Sequence, residues 1–276
     1  MNPTQLKQTL DNGQPVFGMM ISMMENMRWT GVLSATSLDY VVVDTEHGSR
    51  DRREIANHVV MGQAAGKTVI VRVPEPNPVW VAEAVDAGAH GVLVPYCEDI
   101  DEVRACAWQL RVHPLKGEGF KNVMETGEYP SKKSQEYLEK RNAGRLFIMG
   151  VESKPALDNL EAMVDCAPID GVFVGPNDLT TSLGIPDEVD NPVYIDALKR
   201  IISVSESRGK PVLIHQQTME ASKKAIELGA RWVLHSTDAG FIRNGVNSDF
   251  AGLREFASQK WDIASADASG DMGAVH

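Results

Sequence analysis

Eight short apolar runs, each separated from the next by a segment with helical spacing, constrain the fold of this chain more than any other feature. Strands joined through helices run parallel, because the crossover connection brings the chain back to the same end of the sheet. Eight such units predict the α/β class and a single (β/α)8 TIM barrel, and 276 residues suit one undivided barrel. The predicted strands span residues 16–21, 39–44, 68–73, 91–95, 146–151, 172–174, 211–215 and 231–235.

The predicted barrel spans residues 1–258 and carries one long insertion, residues 113–144, which is rich in Gly, Lys and Glu. We expect this insertion to be irregular, since loops of such length are usually functional or interface elements. Helical spacing predicts single helices over 25–35 and 154–164 and an additional C-terminal helix over 248–259. Small residues dominate the end of the chain, so residues 259–276 are predicted to be a disordered tail.

Composition restricts the class of partner. The formal net charge of −11 argues against nucleic acid, whose binding requires Lys and Arg at the phosphates. No apolar run approaches the length of a membrane span, and the first residues lack a signal-peptide pattern, so no membrane partner is expected. The three cysteines are scattered without a paired motif, which favours reduced thiols and a cytoplasmic enzyme.

Two carboxylates follow neighbouring strands: Glu152 after the fifth and Asp178 after the sixth. Both should lie at the C-terminal mouth of the barrel, where the active sites of such barrels are built. A pair of carboxylates there suggests a divalent cation, which prefers oxygen ligands. The alternative is that each residue only caps a helix, and the spacing alone does not choose between them.

Other polar residues fall at predicted strand ends. A single His in such a place is more often a hydrogen-bonded structural residue than a catalyst. Arg72 lies inside an apolar strand and requires a buried anionic partner, either a substrate carboxylate or Asp44 or Glu46. The whole set comprises Asp44, Glu46, His47, Arg72, Glu152, Asp178, His215, Gln216, Gln217, Ser236 and Asp238.

Several motifs together resemble the HpcH/HpaI family, the class II, metal-dependent pyruvate aldolases such as 4-hydroxy-2-oxoheptanedioate aldolase. The resemblance runs from about Gly18 to Ala251, and its relatives include macrophomate synthase and the citrate lyase β subunit. It implies a barrel of the phosphoenolpyruvate/pyruvate-binding type. The motifs are Asp44-Thr-Glu-His-Gly48, Val71-Arg-Val-Pro74, Leu93-Val-Pro95, Val151-Glu152 and Asp170-Gly-Val-Phe-Val-Gly-Pro-Asn-Asp-Leu179.

The resemblance implies that Glu152 and Asp178 hold the metal, with Mg²⁺ expected first and Mn²⁺, Co²⁺ or Zn²⁺ as alternatives. The 2-oxo acid would chelate this metal through its carboxylate and keto oxygens. Arg72 would bind the keto oxygen and stabilise the enolate, because preorganised charge acts most strongly where charge develops.

The resemblance also implies the proton-transfer groups. His47 would act through a metal-bound water and would be polarised by an acidic partner. The family suggests Asp86 from a neighbouring subunit for that role, and Asp44 belongs to the same motif as His47. The backbone of Gly175, Pro176 and Asn177 would hold the substrate carboxylate.

The implied activity is a carbon–carbon lyase: reversible retro-aldol cleavage of a 4-hydroxy-2-oxo acid to pyruvate and an aldehyde through a metal-bound enolate. A macrophomate-synthase-like catalyst that decarboxylates oxaloacetate and adds the enolate to another acceptor is the alternative, and a non-catalytic 2-oxo acid binding barrel is a third. The family also implies a homo-hexamer, a trimer of dimers that exchange C-terminal helices.

Three positions depart from the family pattern. Gly150 stands where a Gln usually precedes the metal Glu by two residues, and residues 114–122 lack the usual loop Arg, with only Lys116 or Lys121 as replacements. Met20 occupies a position that is usually aromatic. These changes leave the metal ligands intact, so we expect them to affect the acceptor more than the enolate chemistry.

Overall fold

The computed structural model describes residues 1–261 and confirms the predicted barrel. Eight strands pair in sequence order, β8 closes onto β1, and every pairing is parallel. The observed bounds are β1 (Val16–Ile21), β2 (Tyr40–Asp44), β3 (Thr68–Arg72), β4 (Gly91–Val94), β5 (Leu146–Gly150), β6 (Gly171–Val174), β7 (Val212–Gln216) and β8 (Trp232–Thr237).

Helices connect the strands, and their starts follow ordinary capping chemistry. Asn2 and Asp51 each form a capping box with the residue three positions on. The helices are α1 (Pro3–Asp11), α2 (Trp29–Ser34), α3 (Arg52–Ala64), α4 (Pro78–Asp86), α5 (Ile100–Val112), α6 (Gly117–Thr126), α7 (Lys132–Asn142), α8 (Lys154–Asp158), α9 (Leu160–Asp165), α10 (Pro176–Ser182), α11 (Pro192–Glu206), α12 (Met219–Glu227) and α13 (Asp238–Trp261).

Alternation along the strands divides the apolar residues into two cores. One cluster fills the barrel interior and includes Val42, Ile70, Phe173, Leu213 and Leu234. The residues between them along the strands face outward and belong to a larger cluster that lies under the helices. Because side chains alternate with a period of two, the residue two positions beyond each interior apolar residue also faces inward, at the mouth.

The prediction of an irregular insertion over 113–144 is wrong, because the segment contains α6 and α7. Gly127, with φ of +75°, ends α6, and the Ser131 side chain accepts a hydrogen bond from the backbone of Ser134 at the start of α7. Val123 and Leu138 pack with Val112 of α5 in a separate small cluster. Each helix has few apolar residues, so its stability comes from covering α5.

Three other helix predictions need correction. The helix predicted over 154–164 is interrupted at Asn159, whose side chain donates to the Pro155 carbonyl and so competes with the helix backbone. The helix predicted over 25–35 begins only at Trp29. The C-terminal helix exists, but it begins at Asp238, ten residues before the predicted start.

The chain forms two compact units, Met1–Asp238 and Ala239–His276, and the barrel strands all belong to the first. The described part of the second unit is α13 from Ala239 onward. Residues 259–261 of the predicted tail belong to α13, so the prediction is wrong for them, and the rest of the tail lies outside the described residues. Within residues 1–261, no helix combines the length and apolar character needed to cross a membrane.

Candidate active site at the barrel mouth

Polar side chains replace the apolar interior at the C-terminal ends of the strands. Asp44 follows Val42 along β2, Arg72 follows Ile70 along β3, and both are buried. At or just beyond the ends of β5, β6, β7 and β8, the same alternation brings Gly150 and Glu152, Gly175, His215 and Ser236 to the interior of the mouth. The predicted gathering of the strand-end residues at one mouth therefore follows from barrel closure.

Two protein carboxylates hold the Arg72 guanidinium. Its Nε donates to Asp44 Oδ1 at 2.8 Å, and its Nη1 lies 2.7 Å from Glu46 Oε2. Burial by itself would lower the pKa of Arg72, but Asp44 and Glu46 raise it by more than burial lowers it. The pKa therefore lies above its ordinary value, and the guanidinium stays charged. Its Nη2 contacts the Met20 sulfur at 3.6 Å, a weak acceptor that an anionic oxygen could displace.

Glu46 links Arg72 to the exposed His47. Burial raises the pKa of Glu46, more than Arg72 and His47 lower it. The His47 ring is 69% exposed, and its Nε2 lies 3.8 Å from Glu46 Oε2. The acidic neighbour of His47 inside this chain is thus Glu46, whereas the Asp44 carboxylate accepts from Arg72 and from the Glu46 backbone.

Glu152 is a buried carboxylate, 1% exposed, and helix capping does not explain its position. The neighbouring Ser153 caps α8 instead, so that alternative is wrong for Glu152. Oε2 of Glu152 accepts the Tyr96 backbone N–H at 2.7 Å. Burial is the main cause that raises the pKa of Glu152 to about 8; Glu46 and Asp178 add to it, and the Tyr96 bond and Arg72 oppose it.

Two glycines make room for this carboxylate. A Cβ added at Gly175 would lie 2.1 Å from Glu152 Oε1, and one added at Gly150 would lie 2.7 Å from Oε2. The Gly150 Cβ would also lie 2.9 Å from the Tyr96 nitrogen. Gly150, which departs from the family pattern, therefore permits the turn after β4 to approach β5 and to donate its N–H to Glu152. Tyr96 makes that turn with φ of +47°.

Asp178 lies in the first turn of α10, after Gly175, which occupies the N-cap position. Asp178 is therefore not the capping residue, and it interacts electrostatically with both Glu152 and Glu46. Among residues 1–261, no group of three or more His, Cys, Asp and Glu side chains is arranged to hold a metal. A cation at Glu152 and Asp178 would take its other ligands from water and substrate, which is how Mg²⁺ is commonly bound.

The predicted substrate-binding segment, Gly175, Pro176 and Asn177, forms the start of α10. No side chain caps this end, and Pro176 has no N–H. Backbone N–H groups in the first turn of a helix lack helical partners. The position is compatible with the predicted contact to a carboxylate, and the role of these residues stays a prediction.

Within its own chain, Asp86 does not lie at this mouth. It ends α4, just before β4 begins, and therefore lies at the opposite end of the barrel. There its Oδ1 lies 2.7 Å from His113 Nε2 and 3.4 Å from Arg141 Nη2. Its predicted role, from a neighbouring subunit, stays a prediction.

The β7 side of the mouth carries His215, which the sequence treats as an ordinary strand-end residue. Burial is the largest cause that lowers the pKa of His215 to about 4, and Arg72 contributes in the same direction. His215 is therefore a neutral imidazole near a fixed cation. His235, on β8, instead faces outward, where its Nδ1 lies 2.8 Å from Ser222 Oγ.

Asp238, which directly follows β8, forms hydrogen bonds with the loop after β1. Its carboxylate accepts from the backbone of Ser22, Met23 and Met24 and from the Ser22 hydroxyl, at 2.6 to 3.0 Å. Burial would raise the pKa of Asp238, but these hydrogen bonds hold it below its usual value.

Two contributors to the site were not evident in the sequence: the Tyr96 N–H, and His215 as a partly buried neighbour of Arg72. His215 carries a signal in the sequence, since it lies at a strand end. The Tyr96 N–H carries none, because any non-proline residue could supply it.

Comparisons with known proteins place the chain beside a family of aldolases. The family model described as HpcH/HpaI aldolase/citrate lyase matches residues 19–238. A 5-keto-4-deoxy-D-glucarate aldolase of Klebsiella pneumoniae is 27% identical over 221 residues, which cover 78% of this chain and 83% of the relative.

Solved structures share the barrel. An HpcH/HpaI aldolase/citrate lyase family protein from Burkholderia cenocepacia is 27% identical with a TM-score of 0.77, covering 91% of this chain and 99% of its own. Macrophomate synthase is 24% identical with a TM-score of 0.76, covering 93% of this chain and 90% of its own, a likeness that shows the fold alone.

Proposed function

This chain belongs to the HpcH/HpaI aldolase/citrate lyase family, and from that premise we propose that it is a divalent-metal-dependent carbon–carbon lyase. It would cleave a 4-hydroxy-2-oxo acid reversibly to pyruvate and an aldehyde through the enolate of pyruvate. The observation that carries the proposal is the buried Glu152 carboxylate, set beside Asp178 and within reach of the Arg72 charge.

The environment of Glu152 fits a divalent cation. Burial and neighbouring carboxylates outweigh Arg72 and raise the pKa of Glu152 to about 8, so an ionised Glu152 requires more positive charge than Arg72 provides. A cation at Glu152 and Asp178 would supply it, and the all-oxygen donor pair favours Mg²⁺, with Mn²⁺, Co²⁺ or Zn²⁺ as alternatives. When bound, such an ion supplies Lewis-acid polarisation of the keto oxygen.

Arg72 would stabilise the negative charge that develops on the C2 oxygen. Asp44 and Glu46 fix two edges of its guanidinium, at 2.8 and 2.7 Å, so little reorganisation is required when that charge appears. Fixed charge at a buried oxygen is usually the largest single contribution to such a reaction. Asp44 thereby acts by orienting Arg72.

Cleavage requires a base that removes the proton of the 4-hydroxyl group. The C3–C4 bond then breaks, and its electron pair moves into the enolate, whose charge rests on the C2 oxygen. We assign proton transfer to His47, with its acidic partner either Glu46 of the same chain or Asp86 of a neighbouring subunit. Double substitution of His47 and each carboxylate separates these partners, because only a functional pair is non-additive.

Oxaloacetate decarboxylation is the second candidate, since it reaches the same enolate by loss of CO₂. The substitution at Gly150, close to Glu152, motivates it. Product analysis with oxaloacetate alone, and then with pyruvate and a series of aldehydes, separates the two. Absence of every aldehyde adduct would contradict the aldolase assignment and leave the decarboxylase.

We also propose a homo-oligomer, for which the family implies a hexamer. Apolar residues recur on α13 at spacings of three and four, and Val246, Phe250, Leu253 and Phe256 are each about half or more exposed. Such a stripe is typical of a helix that packs on a partner. Light scattering should show one assembly for the wild type, and Phe250→Glu should dissociate it.

The test of function is ¹H NMR of pyruvate in D₂O, with EDTA-treated and Mg²⁺-loaded enzyme compared. We expect loss of the methyl signal only with the metal, and much slower loss for Asp178→Asn. Tight pyruvate binding without exchange in either sample would favour the non-catalytic 2-oxo acid binding barrel and overturn the proposal.

A further inference from the structure

The loop after β2 presents Glu46 and His47 at the mouth, yet it lies outside the regular elements. β2 ends at Asp44 and α3 begins at Arg52, so residues 45–51 belong to neither. Loops are more mobile than the elements that they connect. The position of His47 therefore depends on the contacts that residues of this loop make.

Arg50, near the end of this loop, binds backbone at two strand ends. Its Nη1 donates to the Asp44 carbonyl, where the loop begins. Its Nη2 donates to the Ser22 carbonyl, directly after β1, at 2.6 Å. Because the guanidinium is planar and always charged, the two bonds have a fixed mutual geometry and are stronger than those of a neutral donor. Arg50 thus closes the loop onto its own start and joins it to the neighbouring strand end.

Both carbonyl groups belong to segments that other contacts of the site hold in place. The Asp44 carboxylate accepts a hydrogen bond from Arg72 Nε. The Ser22 N–H and hydroxyl both donate to Asp238 Oδ1, at 3.0 and 2.7 Å. Arg50 therefore anchors the loop to two fixed points, one at the residue that orients Arg72 and one at the end of β1.

Arg50 keeps this position at a cost. Its Nε is buried and has no hydrogen-bond partner within residues 1–261. A buried donor without a partner loses the hydration that it would have in water, and an arginine turned toward solvent would avoid that loss. Natural proteins accept such local costs mainly at functional sites. The two carbonyl contacts are therefore the feature that requires an explanation.

We propose that Arg50 is a positioning residue for proton transfer, which bridges the Asp44 and Ser22 carbonyl groups and so holds the loop that presents His47. The inference rests on the proposed aldolase function and assigns a role to a residue that acts through His47. The residues proposed for the metal and the keto oxygen lie on other segments of the chain. Loss of Arg50 should therefore impair turnover more than the binding of pyruvate or metal.

Pyruvate methyl exchange in D₂O, measured over a range of pyruvate concentrations with the Mg²⁺-loaded enzyme, tests this role. Arg50→Ala should lower kcat for exchange by about tenfold to 100-fold, since a displacement of about 1 Å in a catalytic group has an effect of this order. KM for pyruvate and the affinity for Mn²⁺ should stay within about twofold of the wild type. Arg50→Lys keeps the charge but not the fork that spans both carbonyl groups, so its kcat should fall between the two.

Arg53→Ala is the matched control, because Arg53 is an exposed arginine in the first turn of α3. It should leave kcat and KM unchanged. The unfolding temperature is measured for every variant, so that a loss of stability is separated from a loss of turnover. Should Arg50→Ala not fold, a folded Arg50→Gln gives the same comparison of kcat with KM.

A double substitution shows whether Arg50 acts through His47. His47→Ala removes the group that the loop presents, so the position of the loop then matters less. The double variant should therefore lose less exchange activity than the product of the two single losses. Single losses that multiply fully would mean that Arg50 acts independently of His47, and would overturn the proposal.

The remaining outcomes separate this proposal from the proposed function. If the wild type exchanges pyruvate and kcat of Arg50→Ala stays within about twofold of it, the role of Arg50 is overturned and the aldolase function stands. A lower unfolding temperature with unchanged kcat would make Arg50 a stabilising residue only, with the same consequence. Absence of exchange in the Mg²⁺-loaded wild type would overturn the aldolase function, and the role of Arg50 with it.

Discussion

Replacing Gly175 by alanine would test how the site holds Glu152. The added Cβ would lie 2.1 Å from Glu152 Oε1 and 3.1 Å from its Cδ. Gly175 has φ of −94° and ψ of 109°, a conformation open to every L-residue, so the substitution adds no backbone strain. Close-packed interiors do not sustain such a contact, and the carboxylate must move by roughly 1 Å.

The expected loss follows from that displacement. A misplacement of about 1 Å in a catalytic group can cost on the order of 100-fold in rate, which corresponds to about 2.7 kcal/mol of transition-state stabilisation. Overpacking of this kind usually costs about 1–3 kcal/mol of folding stability. We therefore expect Gly175→Ala to be folded, with about 100-fold slower pyruvate exchange and weaker Mn²⁺ binding.

The assay combines the D₂O exchange rate with Mn²⁺ titration by electron paramagnetic resonance. Gly31→Ala is the matched control, because Gly31 lies in α2 and an added Cβ there meets nothing within 4 Å. It should leave both quantities unchanged. If Gly175→Ala exchanged pyruvate and bound Mn²⁺ within twofold of the wild type, the steric argument for the Glu152 position would be wrong.

Three further predictions concern other parts of the mouth. In EDTA at pH 9, Glu152→Gln should unfold at a higher temperature than the wild type, because the substitution removes a buried charge. Added Mg²⁺ should raise the unfolding temperature of the wild type only. Arg72→Lys keeps the charge but loses the planar guanidinium, so pyruvate exchange should slow by about 100-fold, mainly through kcat. An exchange rate within fivefold of the wild type would contradict the role of Arg72 at the C2 oxygen. His215 has a folded-state pKa of about 4, below the unfolded value, so the unfolded chain binds more protons in that window. The free energy of unfolding should therefore fall by up to roughly 3 kcal/mol as pH drops from about 6.5 to 4, and urea titrations should show a flatter profile for His215→Leu.

The strands were predictable from the sequence. The prediction for β1 matches Val16–Ile21, and the others differ by a residue or two, because short apolar runs between turn residues are a local signal. The insertion was not predictable in the same way. Its two helices depend on packing against α5, a contact that no local pattern records.

The same distinction between local pattern and tertiary contact applies to the candidate site. The types of residue at the strand ends, including Glu152, Asp178 and Arg72, were evident because alternation and chain order place them at one mouth whatever their neighbours are. The partners were not evident. From the sequence, the anionic partner of Arg72 could be a substrate carboxylate, Asp44 or Glu46, and the structure pairs it with Asp44 and Glu46.

By itself, the sequence determined a parallel barrel with acidic residues, an arginine and histidines at its mouth, since period and order are properties of a local stretch. Only the tertiary structure decided that Gly150 and Gly175 make room for Glu152, and that His215 stands opposite Arg72. The physical reason is that burial and neighbouring charge depend on strand register and barrel closure. These bring together residues that lie far apart in the chain.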